Sequence, residues 1–154
     1  MARSQPHVDC LIFGCGYLGR RVAKLWLDQG KTVAAVTRSH AEELRRLGVT
    51  PFHGDVCDPK ADIRDLPLAE TVLWCIGWDR NSGRTMREVY IDGLHAALQE
   101  LEDSGRMIYV SSTSVYGQTD GSWVDEESPT EPLEESGKVV IEAEAKFRRW
   151  WRDG

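Results

Sequence analysis

The chain has 154 residues, with 19 Lys and Arg against 25 Asp and Glu and a formal net charge of −6. That length suits one domain with a real hydrophobic core, and 41% apolar and 29% charged residues are the proportions of a globular chain. The acidic balance argues against nucleic acid or an anionic membrane as partner, no apolar run is long enough to span a bilayer, and Met1 to Asp9 is too short and polar for a secretory leader.

Short apolar runs alternate with segments of helical period, which predicts an α/β fold built on a parallel sheet. Val8 to Phe13 is strand one. A helix follows with Leu18, Val22, Leu25 and Trp26 on one face, and Gly30 is placed to end it. Thr32 to Val36, rich in β-branched residues, is strand two. Ser39-His40-Ala41-Glu42 reads as a capping box, with Leu44 and Leu47 on one face of a short helix closed by Gly48. Val49 to Phe52 is strand three, left by Gly54-Asp55, and Asp58 to Pro67 is irregular.

Thr71 to Ile76 is an unbroken apolar run, suited to a strand covered on both faces. After a polar and mobile loop, Gly77 to Gly83, a longer helix carries Met86, Val89, Tyr90, Leu94, Ala97, Leu98 and Leu101 at helical spacing. Arg106 to Val110 is strand five, and Ser111 to Pro132 is a loop long enough to be functional or disordered. Glu134 to Trp151 is a final helix whose apolar face is Val140, Ala143, Phe147 and Trp150 or Trp151, with Lys146, Arg148, Arg149 and Arg152 crowding its end. The expected fold is therefore a Rossmann-type doubly wound parallel sheet of about five strands with helices on both faces. It stops before a sixth strand, so residues 1–154 read as an incomplete domain. Strand five would then keep a free pairing edge, and a homo-oligomer is an expected consequence.

Gly14-Cys15-Gly16-Tyr17-Leu18-Gly19 follows a strand and opens a helix, the context a dinucleotide-binding GxGxxG needs. Gly14 allows the tight turn, Gly16 lets the backbone approach a pyrophosphate, and Gly19 lets helix and strand pack closely. The helix N-terminus, at Tyr17 and Leu18, offers unpaired N–H groups to phosphate. Strand two ends Val36-Thr37-Arg38-Ser39, with no carboxylate to accept from a ribose 2′-OH. Arg38 instead offers a planar cation suited to a 2′-phosphate, so NADP(H) is expected over NAD(H), with Arg20 or Arg21 as a second positive charge. Asp55 is either an acceptor for the adenine amino group or a turn cap. Cys75, Ile76 and Gly77 end a strand at the edge where cofactors bind and are expected to line the site.

Four cysteines, Cys10, Cys15, Cys57 and Cys75, form no CxxC pair and have no histidine cluster beside them, so neither a metal site nor a disulfide framework is expected. A reducing, cytoplasmic setting is the default.

The glycine loop, Gly54-Asp55 and Tyr109-Val110-Ser111-Ser112-Thr113-Ser114-Val115-Tyr116-Gly117, in this order, resemble the extended short-chain dehydrogenase/reductase superfamily, which includes the NAD-dependent epimerase/dehydratase family. The resemblance covers almost the whole chain, and SSTSVYG is its most specific part. It implies that Ser112 hydrogen-bonds the reacting oxygen of a small-molecule substrate, and that a Tyr acting as acid/base is followed four residues later by a Lys. Aligning the family's following Glu with Glu144 puts Ser136 at the Tyr position and Val140 at the Lys position, with Lys138 displaced by two residues. Tyr90 stands where the family often has Asn. Tyr116 could serve as an acid, although a structural turn role suits it better, and Asp125, Glu126 and Glu127 read more naturally as solvated charges than as site residues.

Two functions follow from these residues. One is an NADP(H)-dependent oxidoreductase or epimerase/dehydratase-like enzyme with an atypical acid, favoured by the intact SSTSVYG. The other is a non-catalytic NADP(H)-binding sensor or regulatory module, favoured by the missing Tyr/Lys pair. The resemblance also places the substrate-binding part of the family C-terminal to this stretch.

Overall fold

The computed structural model describes residues 6–58, 63 and 66–153, without the side chains of 152 and 153. The reading of residues 1–5, most of the irregular stretch after Asp58 and the side chain of Arg152 therefore fall outside the described residues. Five strands form one sheet: β1 (His7–Phe13), β2 (Val33–Thr37), β3 (Thr50–His53), β4 (Leu68–Trp74) and β5 (Arg106–Tyr109). The spatial order is β3-β2-β1-β4-β5 and every pair is parallel. Phe13 is level with both Val36 and Trp74, so the carboxyl ends of the strands share one edge. The chain leaves β1 toward β2 and β3 and later returns to β4 on its other side. The end of β1 is thus the switch point where an open α/β sheet forms a crevice.

Side chains alternate along β1 with period two, and each set builds its own core. Cys10 and Ile12 join Ala35 and Leu73 under α1 (Tyr17–Asp28) and α2 (Ala41–Arg46), through Ala23 and Leu44. Leu11 and Phe13 join Val36, Val72 and Trp74 on the opposite face, where Phe13 stacks on Trp74 at 5.4 Å. That face is covered by α3 (Leu94–Gln99) through Leu94, Ala97 and Leu98, and by α4 (Glu135–Asp153) through Ala143. The expected doubly wound architecture is present. Gly30 at φ +76 ends α1, with Gly30 N–H donating to Leu27 and Lys31 N–H to Trp26, as the sequence implies.

Several local expectations are corrected. β2 runs on to Thr37, so α2 starts at Ala41 with His40 as its cap residue, and no Ser39 capping box forms. The Thr37 hydroxyl accepts the His40 N–H at 3.1 Å, and Glu42 pairs with Arg45 instead. On α1 the sheet-facing positions are the small Gly19 and Ala23, which bring the helix close and leave Leu18 and Leu25 on an exposed flank. Leu47 is likewise exposed, and at the chain's end it is Trp150 that packs on the core while Trp151 is exposed.

The long helix is not uniform, because Glu88–Gly93 is a π-helical turn that leads into α3. The wider turn shifts the phase and buries Ile91, which the regular spacing omitted. Finally, neither polar loop lacks structure of its own. Trp78 N–H donates to the Tyr90 hydroxyl at 3.0 Å and Trp78 Nε1 to the Arg84 carbonyl at 2.8 Å, while Asp79 holds Asn81 and Ser82. In the 111–132 stretch, Tyr116 donates its hydroxyl proton to the Asp125 carbonyl at 2.8 Å, which makes it a strut.

Candidate functional site

A cleft of about 510 Å³ opens at the switch point. It is lined by the glycine loop, the ends of β2, β3 and β4, and the loop before the π turn. Gly14, Gly16, Tyr17, Leu18, Arg20, Arg38, Asp55, Cys75, Ile76 and Gly77 all line it, whereas Gly19 and Arg21 do not. Gly19 is buried beneath, where a Cβ would come within 2.7 Å of the Gly14 carbonyl oxygen and 3.3 Å of Ile12.

The three loop glycines have three different reasons. Gly14 sits at φ +88, and a Cβ there would lie 2.6 Å from the Cys75 carbonyl and the Ile76 nitrogen. Gly19 lets α1 rest on β1. A Cβ on Gly16 would meet nothing within 4 Å, so its surface faces the cleft. The Gly16 N–H is taken by the Gly14 carbonyl at 2.8 Å. The N–H groups of Tyr17, Leu18 and Gly19 precede the first turn-closing bond, from Arg20 N–H to Gly16, and so have no partner within the helix. This cradle fits the pyrophosphate of a dinucleotide.

At the far corner, past β2, Arg38 is exposed and makes no hydrogen bond or ion pair among the described residues. The two other arginines named for this role are engaged elsewhere. Arg21 stacks over the Tyr17 ring at 3.6 Å and donates to the Tyr17 carbonyl. Arg20 donates through Nε to the Cys15 carbonyl at 3.3 Å and pairs with Glu43 of α2 at 2.5 Å. Glu43 also meets His40 Nδ1 at 3.5 Å, and the Arg20 hydrogen bond holds its carboxyl below the usual carboxylate range, so it is charged at neutral pH. Asp55 accepts the Cys57 N–H at 2.9 Å, which is the turn-capping role, while still lining the cleft.

Cys75 donates its S–H to the Gly14 carbonyl at 3.1 Å, and burial pushes its thiol up to about 11. It is therefore an inert wall of the site at neutral pH. Burial, helped by Glu144, pushes the Tyr109 phenol up to about 12, so it stays protonated at neutral pH and does not offer a phenolate base. Ser112 lies just beyond β5 at the same sheet edge but is not part of the cleft wall. Its Oγ accepts the Ser114 N–H at 3.2 Å, capping a 3₁₀ turn, Thr113–Val115, and its own proton stays available. Ser136 is exposed and Val140 buried on α4. Glu144 accepts from the Ser111 hydroxyl at 2.5 Å and from Arg148 at 2.9 Å, which ties α4 to the end of β5.

Sequence reasoning missed His40, Asp79, Ser82 and Arg84 as wall residues. The last three arrive through the folding of the Trp78 loop, for which no motif exists. Among the described residues no group of three His, Cys, Asp or Glu could hold a metal ion, and no helix is long and apolar enough to cross a membrane.

The family model described as "NAD dependent epimerase/dehydratase family" matches residues 10–139. Protein YeeZ of Escherichia coli K12 is 46% identical over 146 residues, covering 86% of this chain and 50% of its own length. A 2-alkyl-3-oxoalkanoate reductase of Stenotrophomonas maltophilia is 29% identical over 107 residues, covering 66% of this chain and 32% of the reductase. The chain thus spans half or less of these curated relatives. A solved structure of a provisional NAD-dependent epimerase/dehydratase from Methylobacillus flagellatus is 32% identical, with a TM-score of 0.69 over 91% of this chain and 50% of that one.

Proposed function

The chain belongs to the NAD dependent epimerase/dehydratase family, and we propose that it is the cofactor-holding part of an oxidoreductase that takes NADP(H) in preference to NAD(H). The observation that carries the preference is Arg38, which among the described residues is unengaged, at the end of β2 in the place where a ribose-binding carboxylate would stand. A planar guanidinium there pairs with a 2′-phosphate and can stack on adenine. Tyr17, Leu18 and Gly19 donate their N–H groups to the pyrophosphate, and Asp55, Cys75, Ile76 and Gly77 form the wall along the adenosine and nicotinamide arms. When bound, the nicotinamide supplies hydride exchange with a carbonyl or alcohol carbon.

Binding of NADPH and NADH, followed by fluorescence titration, tests this reading. Wild type is expected to hold NADPH more tightly. Arg38→Ala is expected to weaken NADPH roughly tenfold while moving NADH less than about twofold, the scale of one exposed charge-assisted pair. Tighter NADH binding by wild type would overturn the preference.

Ser112 orients the substrate oxygen, donating the proton that its cap to Ser114 leaves free. On the alignment through Glu144, Ser136 and Val140 replace the acid/base phenol and its lysine, so the acid is atypical. Ser112→Ala is expected to lower kcat/KM on any carbonyl that the protein reduces by at least about tenfold, with NADPH affinity unchanged. Turnover that survives the change would remove Ser112 from the site.

The second reading is an NADP(H) sensor without hydride transfer. It is favoured by Val140, 2% exposed, which puts an apolar residue in the helix interior where the family's lysine is expected. NADPH binding with no oxidation across a broad panel of carbonyls and nucleotide sugars would select it.

A further inference from the structure

Three groups crowd the corner of the cleft beside Arg38. Arg20 and His40 line it, and both are held by one carboxylate, Glu43, at 2.5 Å and 3.5 Å. Glu43 itself stands just behind the wall, on the first turn of α2. We propose that Glu43 is the residue that sets how strongly this cleft discriminates between cofactors, by competing with the 2′-phosphate for Arg20 and His40. This inference rests on the NADP(H) reading above.

The argument is one of charge and geometry. A phosphate monoester carries roughly −1.5 to −2 at neutral pH and seeks several donors at once. Arg38 alone supplies one fork. Two further donor groups on the wall are Arg20 and His40, and Glu43 already engages both, while Arg84 on the same wall is engaged by Glu88. Glu43 adds a like charge close to the phosphate and keeps Arg20 turned toward α2. The Arg20–Glu43 pair is half-exposed on the carboxylate side, so it is weak enough to be displaced. NAD(H) presents only a ribose hydroxyl to this corner, and the Glu43 charge opposes it little. Glu43 therefore lowers the advantage of NADP(H) below what Arg38 would give by itself.

The test is the pair of dissociation constants for NADPH and NADH in wild type, Glu43→Gln and Glu43→Ala, repeated with 2′,5′-ADP and 5′-AMP, which differ only in the 2′-phosphate. Both substitutions are expected to tighten NADPH and 2′,5′-ADP roughly three- to tenfold while leaving NADH and 5′-AMP within about twofold. The gain should vanish in Arg20→Met/Glu43→Gln, where the released partner is missing. A purely structural Glu43 would instead give equal losses on all four ligands with a lower melting temperature, and that result, or no change in NADPH, overturns the proposal. Wild type that prefers NADH overturns both readings. Wild type that prefers NADPH, with Glu43 variants indistinguishable from it, overturns this inference alone.

Discussion

Gly14→Ala is expected to destabilise the chain by about 2–5 kcal/mol, against about 1–2 kcal/mol for Gly30→Ala. Both positions have positive φ, +88 and +76, so both substitutions incur the cost of a left-handed L-residue. They differ in surroundings. A Cβ on Gly30 would have nothing within 4 Å, whereas on Gly14 it would press on the Cys75 carbonyl and the Ile76 nitrogen at 2.6 Å. Those atoms are backbone at the end of β4, whose Cys75 N–H donates to the Phe13 carbonyl at 2.8 Å, so they cannot swing aside without unzipping the central strand pair. The difference between the two variants in urea unfolding, followed by tryptophan fluorescence, isolates the clash from the φ cost. Equal losses would mean that β4 yields at its end. The loss is a large share of the roughly 5–15 kcal/mol that holds a domain together, so at Gly14 lost cofactor binding would follow from lost structure.

The sheet was legible because each strand carries its own burial pattern. Val72 and Trp74 face one core and Leu73 the other, so the unbroken apolar run at β4 already implied cover on both faces. The glycine loop was legible because its three glycines sit at fixed offsets between a strand and a helix. What stayed hidden depended on tertiary geometry. The π turn inserts a phase shift that a 3.6-residue period cannot express, and Ile91 is the residue it buries. Ser39 has the sequence of a cap, but the cap position falls on His40 because β2 pairs one residue further, with Thr37 level with His53. That one-residue difference also carries His40 into reach of Glu43. The Arg20–Glu43 pair joins residues 23 positions apart on different helices, and no local pattern announces it. The Trp78 loop was expected to be mobile from its polarity, yet it is folded by the Trp78 N–H donating to the Tyr90 phenol across 12 residues and the Trp78 indole donating to the Arg84 carbonyl. Arg38 was readable as a cation at the end of a strand. That its neighbours Arg20 and Arg21 are already engaged was not.

Gly16→Ala is expected to weaken dinucleotide binding on the order of a hundredfold while leaving stability within about 0.5 kcal/mol of wild type. Stability is preserved because two small effects oppose each other. Alanine is a poorer helix cap than glycine by a few tenths of a kcal/mol or more, and it restricts the unfolded chain by a similar amount. No protein atom lies within 4 Å of the added methyl. The methyl instead adds bulk to the cleft wall at the start of α1, where a pyrophosphate would approach. Lifting the phosphates out of hydrogen-bond range forfeits about two charge-assisted bonds at roughly 1.5 kcal/mol each, which is about a hundredfold in Kd. Because the pyrophosphate is common to both cofactors, NADPH and NADH should weaken together, unlike the selective effects expected at Arg38 and Glu43. Isothermal titration with both cofactors, alongside a thermal melt of the same sample, separates the cases. Unchanged binding would mean that the pyrophosphate does not lie on this loop, and the assignment of the cleft to a dinucleotide would fail with it.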